Sequence, residues 1–130
     1  PCFGLRWNSS NSLPHHLYIS KDVGNNLEKG DFVSFPHPSC PINLAKKLVG
    51  LEGDRINVKG KDIYLNGEIC ATCMDENRFP SIDLQAIHWG VIPHGFAFVL
   101  ASHEESYDSR YESFGLVKLD QIEEILWPLF

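Results

Sequence analysis

The chain has 130 residues, room for one domain and not for a two-domain enzyme. Hydrophobic residues at 43% and charged ones at 22% suit a packed core and exclude intrinsic disorder. Eleven Lys and Arg against 17 Asp and Glu leave a net charge of -6, which excludes the basic footprint of a nonspecific nucleic-acid binder. The sequence contains no apolar run of the roughly 18 residues needed to span a membrane. Residues 1–7 read as a remnant linker from an upstream membrane-anchoring segment, and 1–130 as one domain.

In chain order, the pattern is short strands between turn signals. Residues 17–20 are the first expected strand. Lys29-Gly30-Asp31 is a turn, and residues 32–35 form a strand that Pro36, Pro38 and Pro41 should stop. Residues 44–51 are a longer apolar segment ending at Glu52-Gly53-Asp54. Residues 55–58 and 62–65 alternate about Lys59-Gly60-Lys61, which makes them a hairpin. Asn66-Gly67 is the strongest two-residue hairpin signal, with Glu68-Ile69 opening the return strand. Residues 70–90 show no period. An apolar strand at 96–101 follows Pro93-His94-Gly95, and 102–115 read as a polar loop. Residues 116–119 and 122–127 are the last strands, though 120–126 could also form a helical turn or two. The expected class is all-β, a small barrel or folded sheet with possible short helical turns.

The cysteines are Cys2, Cys40, Cys70 and Cys73. An even count in a short chain suits one or two structural disulfides in an oxidising compartment, with the pairing open. Cys70-Ala71-Thr72-Cys73 has redox-motif spacing but lacks the helix N-terminus that lowers a thiol pKa. A zinc site would need two further ligands from Cys40, His37 or His88.

Three segments carry candidate chemistry. Asn8-Ser9-Ser10-Asn11-Ser12-Leu13-Pro14 could project a serine hydroxyl into a cleft, or be a plain turn. Lys46 and Lys47 are adjacent in an expected strand, so they point to opposite faces. If that strand covers a core, one of them faces inward and becomes easier to deprotonate. On an edge strand both would reach water. In Ser106-Tyr107-Asp108-Ser109-Arg110-Tyr111, Asp108 and Arg110 can pair bidentately and fix the loop, or form an ordinary surface ion pair. The six histidines read mostly as surface residues, with His103 notable for lying beside the Ser106 loop.

Taken together, these segments resemble the type I signal peptidase family, and within it the conjugative-transfer (TraF-type) branch. The resemblance rests on Ser12-Leu13-Pro14, Gly30-Asp31, Lys46 through Val49-Gly50-Leu51-Glu52-Gly53-Asp54, Pro93-His94-Gly95 and Ser106 through Tyr111, in that order. It implies a signal-peptidase-like fold with a catalytic cleft. Residue by residue, it implies Ser12 as nucleophile and Lys46, rather than Lys47, as general base. It implies Ser10 and the Ser12 amide as oxyanion donors, Ser106 as the serine that orients the lysine, and Asp108 with Arg110 as the loop brace. Glu52 stands where the family usually has Pro. His15-His16 stand where it often has Gly, and Ala101-Ser102-His103 replace its Gly-Asp-Asn run.

The implied activity is a serine endopeptidase with a Ser-Lys dyad and neither cofactor nor metal. Its substrate would be a membrane-associated precursor, such as a signal-peptide-bearing protein or a conjugative pilin. The implied location is the periplasmic face of the bacterial inner membrane, with no nucleic-acid partner. A LexA-type self-cleaving protein shares the Ser-Lys logic, but it should carry an Ala-Gly or Cys-Gly cleavage dipeptide before Ser12, and none occurs. A non-catalytic periplasmic β module of a secretion or transfer system would need neither Ser12 nor Lys46.

Overall fold

The computed structural model describes residues 18–22, 27–103 and 106–128. Its strands are β1 (Tyr18–Asp22), β2 (Phe32–His37), β3 (Cys40–Gly50), β4 (Arg55–Lys59) and β5 (Asp62–Leu65). They continue with β6 (Glu68–Thr72), β7 (Gly90–Val91), β8 (Phe96–Leu100), β9 (Val117–Lys118) and β10 (Glu124–Pro128). A single 3-10 turn, Leu119–Gln121, is the only helical element among the described residues. The all-β class is as expected. One sheet runs β1-β10-β2-β3-β8-β9 and the other β6-β5-β4-β7, with antiparallel pairing throughout.

The second sheet follows from local turn chemistry. Asn66 and Gly67 both adopt positive φ, 53° and 88°, which matches the right-handed twist of the flanking strands. The first sheet departs from the expected boundaries where partners distant in sequence decide them. β1 runs to Asp22, not Ser20, because β10 supplies a partner as far as Glu124. β2 passes through Pro36 instead of stopping there. The β2–β3 ladder is irregular between Phe35 and His37, so the missing Pro36 N–H falls where a regular bond is already absent. β3 begins at Cys40, four residues earlier than expected, with Pro41, Ile42 and Asn43 exposed. The last expected strands shrink to β9 and β10 around the 3-10 turn.

Both sheets bury side chains into one apolar cluster, with Val33, Phe35, Leu48, Phe98 and Val99 from the first and Ile56 and Ile63 from the second. A polar hub ties the sheets together. Asp54 Oδ2 lies 2.7 Å from Lys29 Nζ, just ahead of β2. The same carboxylate accepts the Leu51 N–H at 2.9 Å and Asn66 Nδ2 at 2.9 Å. Asn66 Oδ1 in turn accepts the Arg55 N–H at 2.9 Å.

Residues 102–103 and 106–115 form a loop, as expected, but much of it lies inside the molecule. Ser106, Asp108, Ser109, Arg110, Tyr111 and Phe114 are buried. The segment packs inside because Asp108, Ser109 and Arg110 satisfy one another and the end of β8. Pairing of all four cysteines is also excluded, since Cys70 and Cys73 are free thiols.

Candidate active site

β3 is flanked by β2 and β8. Along it Leu44, Lys46, Leu48 and Gly50 are buried, while Lys47 is exposed. Strand alternation therefore puts Lys46 on the core face, directly across from Val33. The Lys46 side chain has no solvent exposure. Burial lowers its pKa from 10.5 to about 8, with Asp108 opposing the shift and Arg110 adding to it. An amine near that value is available as a base at mildly alkaline pH.

Asp108 and Arg110 come from the segment that follows β8. Arg110 Nε donates to Asp108 Oδ1 at 2.8 Å and Nη2 to Oδ2 at 2.9 Å. Both side chains are buried, so the ordinary surface ion pair is ruled out. The remaining oxygen lone pairs are also used: the Ala101 N–H donates to Asp108 Oδ2 at 2.9 Å and the Arg110 N–H to Oδ1 at 3.1 Å. Asp108 thus pins the loop to the end of β8. Next to it, Ser109 Oγ accepts the Val99 N–H at 3.0 Å and donates to the Gly115 carbonyl at 2.8 Å. Arg110 Nη1 donates to the Thr72 carbonyl at 2.9 Å. The pair raises the Arg110 pKa despite burial, so the guanidinium remains a fixed positive charge.

Ser106, at the start of this segment, is buried, and its Oγ has no hydrogen-bond partner among the described residues. A buried hydroxyl without a partner normally costs stability, and such groups call for an explanation. Of the residues singled out in the sequence, Lys46, Asp108 and Arg110 are thus electrostatic neighbours, with Ser106 buried two residues ahead of Asp108. Ser10 and Ser12 lie outside the described residues.

His37 is a further neighbour, half-buried although the histidines as a group read mostly as surface residues. Its ring stacks on Phe114, with centroids 4.0 Å apart and 8° between planes. The Ser39 N–H donates to Nδ1 at 3.1 Å, so the proton sits on Nε2, which donates to the Phe114 carbonyl at 3.2 Å. Burial lowers the His37 pKa against the pull of that carbonyl, and Lys46 lowers it further. The Thr72 carbonyl was equally invisible in sequence, because every residue has one. His103 joins the loop through its backbone: its carbonyl accepts the Ser106 N–H at 3.1 Å and Arg110 Nη2 at 3.4 Å. His88 and His94 are exposed, as expected, and pair with Glu112 and Glu52.

On this two-sheet fold a buried lysine thus lies in the field of a buried Asp-Arg brace. The family model described as signal peptidase, peptidase S26, matches residues 2–125. The chain belongs to the signal peptidase family.

Within the family, the chain is 27% identical to signal peptidase I T of Bacillus subtilis, covering 82% of this chain and 59% of that protein. It is 30% identical to signal peptidase I of Bacillus caldolyticus, over 80% of this chain and 61% of that one. It is 26% identical to the conjugal transfer protein TraF of Agrobacterium fabrum, over 83% of this chain and 73% of the relative. The chain therefore spans about three fifths of the length of these Bacillus signal peptidases. Among solved structures, it resembles a signal peptidase I from Enterococcus faecalis V583 with a TM-score of 0.50 and 25% identity, covering 77% of this chain and 96% of that one. No helix among the described residues is long and apolar enough to cross a membrane.

Proposed function

We propose that this chain is the catalytic domain of a serine endopeptidase that removes signal or leader peptides from exported precursors with a Ser12-Lys46 dyad. The carrying observation is Lys46: fully buried, facing the core, and lowered to a pKa of about 8. A buried lysine is costly unless its neutral form is wanted. In this reading the neutral Lys46 Nζ takes the Ser12 hydroxyl proton as Ser12 Oγ attacks the scissile carbonyl. The tetrahedral oxyanion is held by the Ser12 N–H and the Ser10 hydroxyl. Lys46 then returns its proton to the leaving amine, and later activates the water that cleaves the acyl-enzyme. The Ser106 Oγ, without a hydrogen-bond partner among the described residues, is available to orient the lysine, and the Asp108-Arg110 pair sets the field around it.

The substrate in this reading is a membrane-associated precursor protein. The likeness to a conjugal transfer protein, covering 73% of that relative, favours a conjugative pilin or another transfer-system component. The domain would work on the periplasmic face of the inner membrane, held there by an upstream anchor. Cys40, whose sulfur is disulfide-bonded, supports an oxidising compartment.

The test is cleavage of a co-expressed precursor by the full-length protein. Ser12→Ala, Lys46→Met and Lys46→Arg should each abolish processing, while Lys47→Ala should keep it. Ser10→Ala should slow turnover by about 10²–10³-fold with little loss of substrate binding. Normal processing by Ser12→Ala, or by Lys46→Met, would overturn the dyad.

A further inference from the structure

The segment joining β6 to Met74 bears on the site in a way the dyad leaves unused. β6 is an edge strand, and its ladder with β5 slips once: Ile63 lies opposite Ala71 and Tyr64 opposite Ile69. Cys70 is the extra residue of this bulge. In a regular strand, residues three apart point to opposite faces. The inserted residue changes that parity, and Cys70 and Cys73 both pack against the same core. Both are free thiols, and both have Arg110 and Asp108 as charged neighbours.

The residues around this pair also grip the loop behind Lys46. The Thr72 carbonyl accepts Arg110 Nη1 at 2.9 Å. The Cys73 thiol donates to the Arg110 carbonyl at 3.6 Å. The Met74 N–H donates to the Tyr111 hydroxyl at 2.7 Å. A Cys70–Cys73 disulfide is incompatible with this grip. Three residues of strand span roughly 10 Å, and a bulge shortens that only in part. A disulfide needs its Cα atoms about 4.4–6.8 Å apart. Closing the bond folds the end of β6 and turns the intervening Thr72 carbonyl away from Arg110.

We propose that Cys70 and Cys73 form a redox latch on the candidate active site: the dithiol keeps Arg110 held, and oxidation to an intrachain disulfide frees the Asp108-Arg110 loop. The oxidant is a disulfide carrier of the cell envelope. Cys70, the more exposed thiol, loses its proton to solvent and attacks one carrier sulfur, breaking the carrier S–S bond and releasing a carrier thiolate. Cys73, deprotonated in turn, attacks Cys70 Sγ in the mixed disulfide and expels the second carrier thiolate. Two electrons pass to the carrier, and its two thiolates take up protons. Burial pushes both thiols up to about 11, so little thiolate exists at neutral pH and chance oxidation is slow.

The effect on cleavage rests on the peptidase reading, but the effect on the loop does not. The protein is treated with excess oxidised glutathione, and peptide mass mapping identifies the Cys70–Cys73 bond. Hydrogen exchange is then followed at the Ala101 and Arg110 amides, both held by Asp108. Oxidation should speed their exchange about tenfold or more and cut precursor cleavage at least as far. A dithiol reductant should reverse both effects. Cys70→Ser should behave as the reduced parent under the same oxidant. Failure of the Cys70–Cys73 bond to form, or its formation with unchanged exchange, would overturn the latch. Faster exchange in a protein that cleaves no precursor in either redox state would uphold the latch and count against the peptidase reading.

Discussion

Desolvation dominates the behaviour of Lys46. Between Leu44 and Leu48 and across from Val33, the ammonium form loses its hydration, and the pKa falls from 10.5 to about 8. The unfolded chain keeps this proton up to about 10.5, so the folded state binds fewer protons between about 8 and 10.5. Stability therefore rises with pH across that window. Below it both states are protonated and the full penalty, about 3 kcal/mol, is felt. Lys46→Met fills the same space without the charge. Its urea midpoint at pH 7 should equal or exceed that of the parent, and should stay flat where the parent climbs. A lower midpoint at pH 7 would mean that the ammonium itself holds the strand. In the parent, cleavage should rise about tenfold per pH unit in acid and level off above a pH of about 8.

The elements are positioned by close approaches that tolerate little change. At Gly50, the end of β3 meets the second sheet. A Cβ there would lie 2.8 Å from Ile92 Cδ1, 3.2 Å from Phe98 Cβ and 3.3 Å from Leu65 Cδ1. The Ile92 methyl could rotate if it had room, but Ile92 is buried, and Phe98 Cβ moves only with its backbone. Overpacking of this kind typically costs about 1–3 kcal/mol. Gly50→Ala should lower the thermal midpoint accordingly, and a melting curve superimposed on the parent's would show that the junction relaxes freely. The loop over 106–115 is held differently: Asp108 accepts the Ala101 N–H and Ser109 Oγ the Val99 N–H, while Arg110 donates to the Thr72 carbonyl and Ser109 to that of Gly115. Its place depends on those polar groups remaining matched.

For the molecule as a whole, the two sheets are joined both by the apolar cluster and by Asp54. Partial burial works against ionisation of that carboxyl. The Leu51 N–H, the Lys29 ammonium and the Asn66 amide outweigh it and hold the pKa below the usual carboxylate range. A carboxylate depressed in the folded state contributes stability above its unfolded pKa, and loses it as pH falls through the folded value. Asp54→Asn should therefore be less stable than the parent at neutral pH and should lose less stability on acidification below about pH 4. Chemical denaturation at pH 7 and at pH 3 checks this. Parallel losses in the two proteins would remove Asp54 from the acid response.

The sequence by itself determined what depends on neighbours in the chain. Asn66-Gly67 specified its turn because both residues tolerate positive φ, and the alternation on either side specified the strands it joins. The ordered boxes from Ser12 to Tyr111 pointed to the family without any knowledge of contacts. Alternation also required Lys46 and Lys47 to face opposite ways, but alternation is blind to which face is covered. Only the packing of Val33, β8 and the 106–115 segment made Lys46 the buried one. The same limit hid the burial of the loop over 106–115. Its composition is polar, and polarity signals solvent only when the polar groups lack partners in the protein. Asp108, Arg110 and Ser109 find theirs in one another, at the end of β8, at Gly115 and, from far along the chain, at Thr72, and several of those partners are backbone carbonyls and amides that every residue carries.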